Sequence, residues 1–200
     1  MVMRLVLTIG LAAAAASAHA QSTLDQYLKR STEGSSSTTS SANEAGINKV
    51  YKSAEGYWRL DDTRATGGFC SITYVTPAYF VGFLGSSNAT TPGLIIFNGP
   101  TIPPIKKSKR KTVTITAVDG SSQSMPAVHD PDGTYKEFGT IRLTYTSIQP
   151  AIDTLSDVEN LTIVMDKRQV FAMKWKGGNL ARAAMRKCLD GTGNMGGSKK

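Results

Sequence analysis

Five positive charges fall within six residues at Lys106-Lys107-Ser108-Lys109-Arg110-Lys111, beside a segment carrying three prolines between Gly99 and Ile105. Such a cluster attracts anions, and its natural partners are polyanions such as lipid headgroups or acidic polysaccharide. The same residues also serve a second purpose on a sheet, because lysines along an exposed edge or turn stop it from pairing with other sheets. Both readings stand at the level of sequence. Either one requires Lys106, Lys107, Lys109, Arg110 and Lys111 to face solvent, since burying five unpaired cations would be prohibitively costly.

Other chemistries find little to work with. Beyond the first twenty residues the chain has one histidine, His129, in Val128-His129-Asp130-Pro131-Asp132-Gly133. A nucleophile–His–acid triad would have to use it, yet no G-x-S-x-G elbow is present and Asp130, as a residue adjacent in the chain, is expected to point away from the ring. His129 therefore reads as a solvated loop histidine. One histidine and two cysteines do not assemble a typical zinc site. Asp130-x-Asp132-Gly133 resembles the start of a calcium loop but lacks the later ligands and the terminal Glu. Asp61-Asp62 reads as a turn after a first strand rather than an acid pair, and nothing singles out two of the 15 acidic residues for glycosidase chemistry. Neither phosphate-binding glycine motif occurs. Trp58 and Trp175 are either ligand-stacking platforms or core aromatics, the second being the usual fate of tryptophan on strands. No catalytic residue, metal ligand or cofactor is assigned, and no specific nucleic-acid partner is expected.

Residues 1–20 combine a basic start, an uncharged apolar run from Leu5 to Ala16 and an Ala18-His19-Ala20 site, the signature of a cleaved secretory signal. The protein is thus expected in the periplasm or outside the cell. Loss of Arg4 leaves 22 basic residues against 15 acidic ones, a net charge of +7. Cys70 and Cys188 are expected to pair as a structural disulfide in that oxidising compartment, closing a loop worth ~4–5 kcal/mol in the chain-entropy model. No later apolar run is long enough to cross a membrane.

Residues 21–50 read as a disordered tail with a Ser/Thr-rich linker, and 192–200 as a flexible C-terminus. Between them, 51–191 should form a single domain. Strands are expected at Tyr57–Leu60, Phe69–Val75, Tyr79–Leu84, Leu94–Phe97, Thr112–Val118 and Phe138–Thr146, most of them alternating apolar and polar residues. Asp119-Gly120 and Asp130–Gly133 read as turns. Pro150 opens a short helix turning Ile152, Leu155 and Val158 inward. Leu161–Met165 and Val170–Trp175 form a hairpin around Asp166–Gln169. A last helix starts at an Asn179 cap, carries Leu180, Ala181, Ala184, Met185 and Cys188 on its apolar face and stops before Gly191.

Tyr57-Trp58, the Cys70 strand, Phe171-Ala172-Met173-Lys174-Trp175, Gly177-Gly178 and Ala181-Arg182-Ala183-Ala184-Met185-Arg186-Lys187-Cys188 are together similar to small secreted alphaproteobacterial proteins without an assigned activity. More distantly, the layout resembles the periplasmic invasion-associated locus B family. The resemblance covers residues 55–190 and implies a compartment and a disulfide, with no functional residue carried over. The expectation is an α+β fold: an antiparallel sheet, curled into a sandwich or half-barrel, with the C-terminal helix packed on it. The expected function is non-enzymatic binding of an envelope component or another protein. The alternatives are an envelope hydrolase with a hidden acid pair and a polyanion binder using Lys106–Lys111.

Overall fold

Period-two alternation of apolar and polar residues places side chains on opposite faces of a strand, and here it builds one continuous antiparallel sheet. The computed structural model describes residues 49–52, 55–64, 68–86, 91–132 and 137–191, all within one unit, Ser41–Lys200. The segments read as signal (1–20) and C-terminus (192–200) lie outside the described residues, as does nearly all of the 21–50 tail. The strands are β1 (Lys49–Lys52), β2 (Tyr57–Asp62), β3 (Cys70–Val75), β4 (Phe80–Gly85), β5 (Gly93–Gly99), β6 (Lys109–Thr116), β7 (Ser122–Pro131), β8 (Gly139–Tyr145), β9 (Glu159–Met165) and β10 (Arg168–Trp175). Helix α1 (Gln149–Asp153) joins β8 to β9, and α2 (Gly178–Leu189) follows β10. Strand order is β1-β2-β3-β4-β5-β8-β7-β6-β9-β10.

The registers carry one apolar face across the sheet. Ile72 pairs with Phe83, Phe83 with Ile95 and Ile95 with Leu143. On the far side Val113 pairs with Met165, and Ile163 with both Ile115 and Phe171. This face is the concave one, because the sheet curls until its last strand meets its first ones. Trp175 on β10 lies edge-on to Trp58 on β2 at 5.8 Å, and Phe171 meets Phe97 on β5 at 5.3 Å. Trp58 Nε1 also donates to the Lys176 carbonyl at 2.8 Å. The result is the expected α+β half-barrel, with α2 packed against β2 and β3.

Cys188 of α2 is bonded to Cys70 of β3, their Cα atoms 5.9 Å apart, so the disulfide ties the helix to the sheet as expected. Among the described residues no helix is long and apolar enough to cross a membrane.

Several local expectations are corrected. Asp61 and Asp62 end strand β2 instead of forming a turn. Asp130 and Pro131 end a ten-residue strand, β7, where the residue pattern predicts a turn and no strand. The β9–β10 turn is only Asp166-Lys167, both with positive φ (51° and 65°), the tight mirror-image turn that matches the twist of a hairpin. Helix α2 begins earlier than Asn179. Gly177, at φ 78°, starts it, and Asp157 satisfies its first N–H groups: the carbonyl accepts from Gly178 N and the carboxylate from Asn179 N, each at 3.0 Å. Asn179 Oδ1 instead accepts from Arg182. Leu180 and Val158, expected to face inward, are 58% and 51% exposed.

Candidate functional site

Two long connections cross the ends of the half-barrel and give those ends different characters. The proline segment between β5 and β6 must pass over β8 and β7, because these strands lie between its endpoints in the sheet. Gly139 N donates to the Ile102 carbonyl at 3.0 Å, and Ile102 is fully buried there. His129 Nε2 lies 2.8 Å from the Pro103 carbonyl. A side chain at Gly139 would collide with Pro103, His129 and Ile102. His129 is therefore 4% exposed, a buried clasp on the crossover and not a solvated loop residue.

The basic cluster stands at this same end. Lys106, Lys107, Lys109 and Arg110 are exposed and make no ion pair with any described residue, whereas Lys111 is partly buried and bonded to Asp166 at 2.6 Å. Lys109, Arg110 and Lys111 belong to strand β6 rather than to the preceding loop. The β9–β10 turn adds Lys167 and Arg168, both exposed, so segments distant in sequence share one cationic end.

At the opposite end the concave face opens into a cavity of about 820 Å³. Its origin lies in the sheet. Strands β7 and β8 pair only from Val128↔Arg142 to Pro131↔Gly139. The earlier part of β7 follows β6 alone, and Pro126 there has no N–H to offer a second neighbour. The sheet is thus split between Ser122–Ala127 and Leu143–Tyr145, and the second long connection, carrying α1 and Leu155, lies alongside the gap. Ile148 of this connection sits so close to Gly85 and Gly93 that a side chain at either glycine would strike it.

Phe83, Ile95, Phe97 and Leu143 form the cavity floor, and Ile115, Met125, Tyr145, Ala151 and Leu161 form its walls. These five wall residues are partly exposed members of the core, and of the seven such residues packed against it only Tyr79 and Ala184 lie away from the cavity. Trp175 borders the cavity but is itself buried, its Nε1 donating to the Ser156 carbonyl at 3.1 Å, and Trp58 is buried in the core. Both are core aromatics. Burial pushes the Tyr145 phenol above its ordinary pKa, and its hydroxyl donates to Met125 Sδ at 3.5 Å.

Among the described residues the polar lining contains Asp119 and Glu159 but no Lys, Arg or His. The Ser121 hydroxyl, and after it Ser121 N, which donates to Asp119 Oδ1 at 2.9 Å, hold the Asp119 carboxyl below the usual range. Glu159 Oε1 accepts from Val118 N at 2.6 Å and Asn160 N at 3.1 Å. A glycosidase-type pair needs one carboxyl kept protonated at neutral pH. Asp119, exposed and closing its own turn, is held in the opposite sense.

Among the described residues, one group brings three possible metal donors within 4.8 Å of one another: Asp62, Cys70 and Cys188. Its two sulfurs are bonded to each other, so neither is a thiolate, and Asp62 is engaged by Arg64 at 2.6 Å.

The cavity was not legible as a motif. Its lining is drawn from positions 83 to 175, and the one local sign was the polar, proline-containing stretch 122–126 that lets the sheet part. No family model, curated protein or solved structure matches the chain, so the likeness to the invasion-associated locus B family remains an expectation from sequence and the site rests on its own geometry.

Proposed function

We propose that this is a non-enzymatic binding protein of the cell envelope that takes an apolar or amphipathic envelope component into the cavity of its half-barrel. The observation that supports this reading is the cavity wall: Ile115, Met125, Tyr145, Ala151 and Leu161 remain partly exposed in one concave place. A volume of about 820 Å³ falls within the usual range of small-ligand sites, roughly 300–1,000 Å³. The periplasmic or secreted location rests on the signal-like first twenty residues, and the Cys70–Cys188 disulfide suits an oxidising compartment.

The test is titration with a neutral, environment-sensitive apolar probe, N-phenyl-1-naphthylamine. Its fluorescence should rise saturably with the native protein. Filling the cavity with Ala117→Phe and Ala151→Phe should weaken binding about tenfold, the effect of losing a well-matched apolar contact surface. Absence of saturable binding, or equal binding by the filled variant, refutes the reading.

A second reading is favoured by the opposite end, where Lys106, Lys107, Lys109 and Arg110 have no acidic partner among the described residues and Lys167 and Arg168 extend the cluster. This end would hold a polyanion such as anionic lipid or polysaccharide. Changing the four unpaired cations to Gln should then weaken retention on anionic vesicles, by an amount that shrinks as salt rises. Unchanged retention with increased aggregation would instead assign them to edge protection.

A further inference from the structure

We infer that the cavity selects an amphiphile with a cationic headgroup, and that Glu159 is the residue that recognises it. This inference rests on the cavity being a ligand site, as proposed above. Glu159 is only 7% exposed, yet it lines the cavity and forms no ion pair with any described residue. Both of its described hydrogen bonds fall on Oε1. Oε2 receives none from a described residue, and it is not an occluded atom lacking a partner. A carboxylate so placed has one oxygen left for a donor, and a charged donor gives the strongest hydrogen bond.

The surroundings fit the same chemistry. Trp175 lies directly across from Glu159 in the β9–β10 register and borders the cavity as a buried apolar neighbour. Asp119 adds a second negative charge at the rim, and among the described residues no cationic side chain lines the cavity to oppose either. Apolar walls would take the alkyl portion of the ligand.

This local field runs against the charge of the whole chain, which is +8. The basic cluster does not cancel it. Lys111 and Ala117 at the cavity, just past the end of strand β6, are six positions apart, about 20 Å at the rise of a strand. That exceeds the screening length of ~8 Å at physiological ionic strength. A ligand guided by the net charge would be anionic, whereas one guided by Glu159 would be cationic, so the two possibilities separate cleanly.

The experiment is displacement of N-phenyl-1-naphthylamine by dodecylamine, dodecanol and dodecanoate, at physiological ionic strength and below their micelle concentrations. The native protein should bind dodecylamine about tenfold more tightly than dodecanol, the effect of one charged hydrogen bond, and dodecanoate most weakly. Glu159→Gln keeps an oxygen for Val118 and Asn160 but loses the charge, and it should bind dodecylamine and dodecanol equally. The ranking on the native protein decides the matter even if that variant folds poorly. Dodecanoate binding as tightly as dodecylamine, or a dodecylamine advantage that persists in a folded Glu159→Gln protein, overturns the inference while leaving the cavity reading intact. Failure of both the probe and dodecanol to bind overturns the cavity reading and this inference with it.

Discussion

Tyr145 shows how one side chain can report on the whole site. It sits in the cavity wall at the last residue of β8, its phenol raised in pKa by burial. A group with a folded pKa above its unfolded value of about 10 contributes stability that is complete below that value and is lost as pH rises through the folded pKa. Phenolate absorbance should therefore show a component titrating later than free tyrosine, and Tyr145→Phe should remove that component together with its alkaline destabilisation. Saturating the cavity with dodecanol should delay the titration further, because the ligand excludes more water from the ring. A Tyr145 that titrates like free tyrosine would contradict its placement. His129 makes the complementary point: its sequence neighbours are those of a solvated turn, but its ring is enclosed by a crossover loop from a different part of the chain.

The β9–β10 hairpin is the clearest case in which one element carries avoidable strain. Asp166 and Lys167 both adopt left-handed backbone conformations, which cost a residue with a Cβ roughly 1–2 kcal/mol. Asp166 recovers part of that through its ion pair with Lys111. Lys167 is exposed, and among the described residues it has no such pair. Replacing Lys167 with Gly should raise unfolding free energy by about 1 kcal/mol in urea denaturation without changing the m-value. A loss of stability would mean that the turn has another form. Helix α2 is also built by its context. Its start depends on Gly177 and on Asp157 from the preceding loop, and Gly178 is packed so tightly against the Ser156 carbonyl that no Cβ fits.

For the whole molecule the decisive covalent fact is the Cys70–Cys188 bond, which spans 118 residues and so encloses most of the described sheet. Cross-linking so long a segment restricts the unfolded chain by ~4–5 kcal/mol in the chain-entropy model. Cys70→Ala with Cys188→Ala should lower the unfolding free energy by roughly 2–5 kcal/mol, seen as a lower Tm. Both cysteines are buried on apolar faces, so the paired change also leaves a small void. An unchanged Tm would show that the bond contributes nothing to folding. The charge of the molecule is divided as well: cations gather where the proline crossover closes one end, and carboxylates line the opening at the other.

Local chemistry along the chain was sufficient to determine the antiparallel class, eight of the strand positions, the short Pro150 helix, the closing helix and the cysteine pairing. Alternation at Cys70-Ile72-Tyr74 or Val113-Ile115 is visible within six residues, because the pleat repeats every two. Strand β7 was not legible, since Ser122-Gln123-Ser124-Met125-Pro126 has no apolar alternation and owes its place to its pairing with β6. The order of β8, β7 and β6 in the sheet, and hence the two crossovers, depends on contacts between residues far apart in sequence. So does everything about the candidate site: the parting of β7 from β8, the enclosure of His129 and the isolation of Glu159 beside Trp175. A cavity has no sequence motif of its own. It exists where distant strands part while still attached to a common neighbour, and only tertiary structure decides where that happens.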